Sequence, residues 1–450
     1  MKVLLVNPPL AGLYDSAGIV LPPLGLLYVA AVLREGGHHV RVLDLSANHR
    51  PLDFDGVDVV GITCTTSQYS RAIKYARAAK EAGKIVVMGG AHATFTAEEI
   101  FQTGSVDYVV RGEGEYTALE LMNGLQRGGG AFDPGPIMGL SWFDRKEGRV
   151  VNNPDRPFVR DLDTIPYPAR NLLAFESYQP QKLRVHTPSL TVLTSRGCPF
   201  HCTYCVVHRM NGRQWRSRHP VAVVDEIEEA CQRYDFKEVV FLDDNLTFNV
   251  GRVLRLCHEM MRRNLNLTWW CMSRTDTIAK NEEMVAKMAQ AGCTSVFLGL
   301  ETANETVLQA YHKRATADVG AKAVALLKKY GISTLGAFMI GEVTESRQDI
   351  EKTIGYAVDL DPEVAQFSIL TPYPGTTIFE RLKDRLITRD WSKFDGAHGV
   401  FDSDHLTARQ MEKLLRRAYQ KFYLRPRRLF SRVRNGPTWR TVWSLLRAVR

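Results

Sequence analysis

The run Thr194–His208, TSRGCPFHCTYCVVH, constrains this chain more than any other stretch, because Cys198, Cys202 and Cys205 fall in a Cys-x3-Cys-x2-Cys loop directly after an apolar, strand-like segment. Thiolates spaced so closely point to one metal centre. A [4Fe–4S] cube has four corner irons, so three cysteines leave one iron open to a small chelating ligand. A structural zinc is the alternative, with His201 or His208 completing its tetrahedron, although such sites more often draw on two separated ligand pairs.

The other five cysteines, at 64, 231, 257, 271 and 293, stand singly within apolar stretches, which is the pattern of a reducing compartment and not of a disulfide framework. At the amino end MKVLLVNPPL is broken by Pro8 and Pro9, and the apolar run Ala17–Leu33 is interrupted by Pro22 and Pro23. Neither reads as a signal or a bilayer span, so a cytoplasmic protein is expected. The net charge of +9 is concentrated: Lys413–Arg450 holds twelve Lys and Arg and no Asp or Glu, which leaves the rest of the chain at −3. A length of 450 residues allows two or three domains.

The amino-terminal part alternates strand and helix. Strands are predicted at Lys2–Asn7, His39–Leu43, Val57–Ile62, Ile85–Gly89 and Asp107–Arg111, with helices at Pro23–Gly36 and Ser70–Ala82. That rhythm implies a doubly wound parallel sheet, whose ligands sit outside the carboxyl ends of the strands. Four polar or glycine-rich loops fall at those ends: NPPL with Asn7 and Pro8, TCTTSQYS with Thr65, Ser67 and Gln68, GGAHATF with Gly89, Gly90 and His92, and GEGEYT with Gly112 and Glu113. Hydroxyls and bare backbone amides suit a ligand rich in phosphate and amide groups. No complete G-x-G-x-x-G is present, so a dinucleotide site is poorly supported.

A predicted hairpin at Met138–Asn152 and a proline-rich linker at Asn153–Gln181 lead to a second alternating part. Its strands are predicted at Ser189–Thr194, Glu238–Asp243, Thr268–Ser273, Ser295–Leu300, Thr334–Met339 and Ala365–Leu370, with helices including Val221–Tyr234 and Ala317–Tyr330. Repeats of this kind imply a partial (β/α)6 barrel with its site at the carboxyl ends of the strands. The expected division is residues 1–135, 136–185 for hairpin and linker, 186–385 for the barrel, and 386–450 for a carboxyl-terminal helical segment.

The cysteine triplet with Tyr204 just before its last cysteine resembles the radical S-adenosylmethionine (SAM) enzymes. The order NPP, then P-x-G-x-L-x-x-A from Pro23, GGAHATF and RGEGE resembles the cobalamin-binding domain of their B12-dependent members, over roughly Met1–Leu125. The resemblance implies a Rossmann-like cobalamin domain, a [4Fe–4S] cluster on Cys198, Cys202 and Cys205, and SAM on the open iron. It also implies SAM contacts at Tyr204, Asp243, Asp244, Asn245, Arg274 and Glu301, with Arg274 meeting the SAM carboxylate and Glu301 the ribose. By the plain reading, Asp243 and Asp244 cap a helix and Arg274 and Glu301 pair with each other. The residues implied for cobalamin are those of the four loops: Asn7, Pro8, Thr65, Ser67, Gln68, Gly89, Gly90, His92, Gly112 and Glu113. The D-x-H-x-x-G motif that ligates cobalt elsewhere is absent, so Thr65–Tyr69 is expected against the lower face of cobalt and His92 against the cofactor tail.

The activity so implied is methylation of an unactivated carbon through a 5′-deoxyadenosyl radical and methylcobalamin, with no protein acid or base assigned. The alternative is cyclisation, rearrangement or oxidation of a lipid, isoprenoid or tetrapyrrole-like substrate without methyl transfer. A further alternative is a zinc-bearing nucleic-acid binder or an RNA-modifying methylthiotransferase, the latter argued against by the single Cys64 of the first half. The expected partners are a small-molecule or lipid-like substrate and an external one-electron reductant of flavodoxin or ferredoxin type, with nucleic acid not expected. Near the end, Trp439, Val442, Trp443, Leu446 and Val449 recur at helical spacing among arginines, which makes Thr438–Arg450 a candidate for peripheral attachment to the inner membrane face.

Overall fold

A computed structural model describes residues 1–9, 20–48, 50–128, 132–175, 178, 189–426 and 428. It divides the chain into two compact units, one holding the residues up to 178 together with Val206–Gly212, the other residues 189–205 and those from 213 onward.

The first unit is a seven-stranded sheet in the order β2-β1-β3-β4-β5-β6-β7. Its strands are β1 Lys2–Asn7, β2 His39–Asp44, β3 Val59–Thr63, β4 Ile85–Gly89, β5 Tyr108–Val110, β6 Leu140–Asp144 and β7 Arg149–Asn152. Helices α1 Leu24–Glu35, α2 Tyr69–Glu81, α3 Ala91–Phe95, α4 Ala97–Gln102 and α5 Glu115–Gly128 connect the first five strands or follow them. β1 and β3 are buried along almost their whole length, as strands of a parallel sheet covered on both faces must be. Strands β1 to β5 are parallel and run 2-1-3-4-5, so the order reverses between β1 and β3, and the loops after those two strands flank the crevice where such sheets bind ligands.

One expectation needs correction. The hairpin β6–β7 was expected as a connector, yet β6 pairs antiparallel with β5 and extends the sheet. Ile137 and Leu140 lie in one apolar core with Val3, Leu5, Val110 and Leu121, so a boundary at 135 would cut through that core. The glycine- and proline-rich loop ahead of the hairpin marks a turn and not the end of the unit.

The second unit holds β8 Ser189–Val192, β9 Ser195–Arg196, β10 Arg216–Ser217, α6 Pro220–Tyr234, β11 Glu238–Phe241, α7 Val250–Arg262, β12 Thr268–Ser273, α8 Thr275–Lys280, α9 Glu282–Gln290 and β13 Cys293–Glu301. It continues with α10 Glu305–Ala310, α11 Ala317–Lys329, β14 Ser333–Ile340, α12 Arg347–Leu360, β15 Val364–Ile369, α13 Thr377–Leu382 and α14 Ala408–Tyr423. β8, β11, β12, β13, β14 and β15 pair in parallel in chain order, the open six-repeat barrel that the alternation predicts.

An open barrel leaves an edge, and α14 closes the one at β15. The Tyr419 hydroxyl donates to Phe367 O (2.9 Å) and accepts from Phe367 N (3.1 Å), and Tyr423 does the same for Ala365 O (2.9 Å) and N (3.1 Å). Two phenols thus satisfy the edge groups that a further strand would otherwise pair. α14 begins at Ala408, where Thr407 and Gln410 form a reciprocal capping box. Beyond it, Arg425 and Arg428 donate to Asp361 Oδ1 at 2.8 and 2.7 Å, with both guanidinium groups over the Phe422 ring. Among the described residues no helix is long and apolar enough to cross a membrane, and the expected helix Thr438–Arg450 lies outside those residues.

Glu238, at the amino end of β11, is buried, and burial pushes its carboxyl up to about 7 against a single hydrogen bond from Ser189 Oγ (2.9 Å). A folded-state value above the unfolded one stabilises the fold fully below the unfolded value, and that contribution is lost as pH rises through about 7. Glu238→Gln keeps an acceptor for Ser189. It should match the parent in chemical denaturation at pH 5 and exceed it by roughly 2 kcal/mol at pH 8; an equal difference at both pH values would refute this account of Glu238.

Candidate active site

The cysteine loop has little regular structure of its own, and its two ends are fixed from outside. β9 and β10 pair antiparallel, Ser195 with Ser217 and Arg196 with Arg216, so the loop is an excursion with a closed base. Arg218 N donates to Thr194 O (2.9 Å), and the buried Arg252 on α7 donates to Thr194 Oγ1 (3.0 Å), Thr194 O (3.2 Å) and Arg218 O (2.9 Å). Asp243 completes the clamp by accepting from Thr194 N (3.1 Å), Thr194 Oγ1 (2.7 Å) and the Ser195 hydroxyl. This corrects the expectation for Asp243, whose carboxylate is fully buried and taken up by the base of the cysteine loop instead of facing a ligand.

Within the loop Cys205 N donates to Cys202 O (3.0 Å), and Cys202 is buried while Cys198 and Cys205 are part-exposed. Among the described residues no three His, Cys, Asp or Glu side chains converge as ligands of a single ion. His201 is exposed, with its ring 5.3 Å from that of His312.

Tyr204 does more than pack. Its hydroxyl donates to Glu301 Oε1 (3.0 Å), which also accepts from Lys313 Nζ (2.5 Å). Glu301 is the last residue of β13 and takes a left-handed conformation, φ +60°, where the pairing with β14 slips by one residue. A non-glycine residue held there is strained, and such positions cluster at functional sites. Its other oxygen, Oε2, has no hydrogen-bond partner among the described residues.

Arg274 is a second correction. Its Nε and Nη2 both bond the Asp276 carboxylate at 3.0 Å, and its guanidinium lies 3.6 Å from the Phe200 ring centroid. Two of its five donors are thereby taken by Asp276. The pairing of Arg274 with Glu301 that the plain reading allowed is not formed either, because each has its own partner. Asp244 is exposed, whereas Asn245 is 1 % exposed and its Nδ2 is buried without a protein partner among the described residues. A buried amide donor left open at the carboxyl end of β11 is what a bound polar ligand would satisfy.

In the first unit the four loops divide into those that face inward and those that stay open. Asn7 Nδ2 donates to Asp44 Oδ1 (2.8 Å), and Gln68 accepts from Thr65 N (3.1 Å) and Oγ1 (2.9 Å) while donating to Pro8 O (2.8 Å). His92 is buried against Tyr69, with ring centroids 4.5 Å apart and Nδ1 3.3 Å from Thr66 Oγ1, and burial lowers its pKa to about 3, so the imidazole is neutral. Glu113 Oε2 accepts from Val159 N (2.9 Å). The side chains of Asn7, Gln68, His92 and Glu113 thus each make a bond that shapes the loops. Thr65 and Ser67 remain at the surface of their turn, Gly89 and Gly90 end β4, and Gly112 (φ +68°) has nothing within 4 Å of where a Cβ would stand. Open glycine backbone beside surface hydroxyls fits a large, amide-rich ligand. Cys64, which burial pushes up to about 12, is the sole cysteine of this half and offers nothing to a second cluster.

Asp44 was missed by sequence reasoning. It accepts from Asn7, from Ser46 N (3.0 Å) and from Tyr178 Oη (2.7 Å), the last of them 134 residues away. An aspartate ending a strand gives no signal of its distant partners. Arg252 and Lys313 were missed for the same reason.

Comparison with known proteins agrees with this geometry. A B12 binding domain model matches residues 11–122 and a Radical SAM superfamily model matches residues 192–357. An uncharacterized methyltransferase of Pyrococcus horikoshii is 38 % identical over 95 % of this chain and 93 % of its own length. The anaerobic magnesium-protoporphyrin IX monomethyl ester cyclase of Rubrivivax gelatinosus is 29 % identical over 94 % of this chain and 78 % of its own. The solved structure of the radical S-adenosylmethionine methyltransferase TsrM from Kitasatospora setae, with cobalamin and a [4Fe–4S] cluster bound, superposes with a TM-score of 0.73 at 18 % identity, covering 100 % of this chain and 99 % of that one. The chain belongs to the cobalamin-dependent, B12-binding radical SAM enzymes. Its cofactors are a [4Fe–4S] cluster, SAM and cobalamin.

The glycines offer a test of the first-unit loops. At Gly90 (φ +96°) a Cβ would stand 2.8 Å from Cys64 O and from Thr63 Oγ1, whereas at Gly112 it meets open space. Gly90→Ala should cost roughly 2 to 3 kcal/mol in chemical denaturation of cofactor-free protein and Gly112→Ala only about 1 kcal/mol. Equal losses would contradict the packing given for Gly90.

Proposed function

We propose that this chain is a C-methyltransferase that places a methyl group on an unactivated carbon of a small-molecule substrate. The observation that carries the proposal is the end-to-end match to the Pyrococcus methyltransferase in a chain bearing both the B12-binding and the radical SAM domains. When bound, the cluster supplies the electron that cleaves SAM to a 5′-deoxyadenosyl radical, and the corrinoid supplies the methyl group.

The chain's own task in this reading is holding and orienting. Cys198, Cys202 and Cys205 hold three corners of the cluster, on a loop whose base Asp243 and Arg252 fix. Asn245 Nδ2 and Glu301 Oε2 are the polar atoms offered to SAM, and Tyr204 orients Glu301 toward it. Thr65, Ser67, Gly89, Gly90 and Gly112 are offered to the corrinoid, on the loops at the carboxyl end of the first sheet. In this assignment the first unit carries the corrinoid and the second carries cluster and SAM. An external one-electron reductant of flavodoxin or ferredoxin type completes the cycle.

A second reading, ring formation without methyl transfer, is favoured by the match to the Rubrivivax cyclase. Isotope separates the two. Reduced holoenzyme given methyl-labelled SAM should release 5′-deoxyadenosine and carry label into the corrinoid fraction. Release of 5′-deoxyadenosine with no label on the corrinoid would favour ring formation, and absence of 5′-deoxyadenosine would overturn both. Cys202→Ser should lower 5′-deoxyadenosine release at least about 100-fold, because loss of one cluster thiolate removes the electron donor, while the corrinoid content stays at the parent level. A parallel loss of corrinoid would contradict the separate assignment of the two sites.

A further inference from the structure

Three consecutive residues, Ala310–His312, meet the cysteine loop. Thr203 Oγ1 donates to Ala310 O (3.2 Å) and Thr203 N to Tyr311 O (3.2 Å), the Tyr204 and Tyr311 rings stand edge to face at 5.0 Å, and His201 lies against His312. Lys313 follows them, and its side chain is 6 % exposed. Its ammonium spans the slip in β13, donating to Gly299 O (2.6 Å) and to Glu301 Oε1 (2.5 Å), the oxygen that also accepts from Tyr204 (3.0 Å). The space is shaped for that group, because a Cβ on Gly299 would collide with both Glu301 Oε1 and Lys313 Nζ.

The strained backbone of Glu301 needs support from its side chain. A carboxylate inside the fold is tolerated only with a partner charge, and removing one partner of such a pair costs far more than the pair contributes. Lys313 is that partner, and the oxygen it fixes is the one on which the tyrosine between Cys202 and Cys205 hangs.

We propose that Lys313 is a positioning residue for the SAM-binding side of the cluster: by holding Glu301 Oε1 against Tyr204, it sets the turn of the cysteine loop and leaves Glu301 Oε2 turned to the ligand. The inference builds on the assignment of cluster and SAM made above. It adds a residue that lies outside the cysteine motif and 12 positions after the glutamate it acts through.

The test is a double-mutant cycle read by SAM affinity and by the electron paramagnetic resonance signal of the reduced cluster, with holoenzyme of the parent, Lys313→Met, Glu301→Gln and the double variant. Lys313→Met should keep its iron and sulfide, alter the cluster signal before SAM is added, and weaken SAM binding about 10-fold or more, the size expected for one charge-assisted contact. The double variant should bind SAM no more weakly than Glu301→Gln alone, because Lys313 acts through that carboxylate. Parent-like affinity and signal in Lys313→Met would overturn the proposal, as would additive losses. If Lys313→Met does not fold, Lys313→Gln, which can still donate to both oxygens, carries the same comparison, and failure of both to fold would also overturn it by making the residue structural. A parent protein that shows no iron–sulfur signal and no SAM binding would instead refute the assignment of cluster and SAM.

Discussion

The structure depends on fixing a loop that cannot fix itself. Residues 197 to 215 carry the three cysteines, and the two-residue contact of β9 with β10 closes their base. Rigidity comes from buried polar groups on neighbouring repeats: Asp243 after β11, Arg252 on α7, and Glu301 with Lys313 beyond β13. Each is costly to bury alone and is placed where its partner is already present. The barrel thereby transmits its own order to a segment with almost no secondary structure.

The same economy appears at the open side of that barrel. Six strands leave β15 with an unpaired row, and two tyrosines of α14 fill it with hydroxyls that both donate and accept. A phenol brings a large apolar face as well as one polar atom. Tyr419 accordingly packs edge to face on Phe367 (5.4 Å) while bonding that residue's backbone. In the first unit Asp44 ties the registered ends of β1 and β2 to Tyr178, which no strand pairing reaches.

Much of this was legible in the sequence because it is local. Periodicity located every parallel strand to within a few residues, and cysteine spacing located the cluster loop. Pro23 and Gly36 marked the ends of α1 within one position. What spacing could not show was the choice of partner. Arg274 bonds Asp276 two residues on, and Asp243, read as a ligand contact or a cap, reaches back 49 residues to Thr194. The hairpin was recognised but set outside the first domain, because a loop rich in glycine and proline looks alike whether it leaves a sheet or turns back into it. Polar side chains at strand ends announce a site, yet which of them face a ligand and which brace the loop depends on partners that only the fold brings together.

The central claim is that each chain carries two redox-active groups, one iron–sulfur and one corrinoid, in separately built α/β units. Anaerobic purification followed by iron, sulfide and cobalamin quantitation tests it most directly. The account predicts about four irons and about four sulfides per chain for a single cube, together with about one tightly held corrinoid where the open sheet reverses its strand order. Stoichiometric zinc without sulfide, or indifference to added hydroxocobalamin, would contradict it.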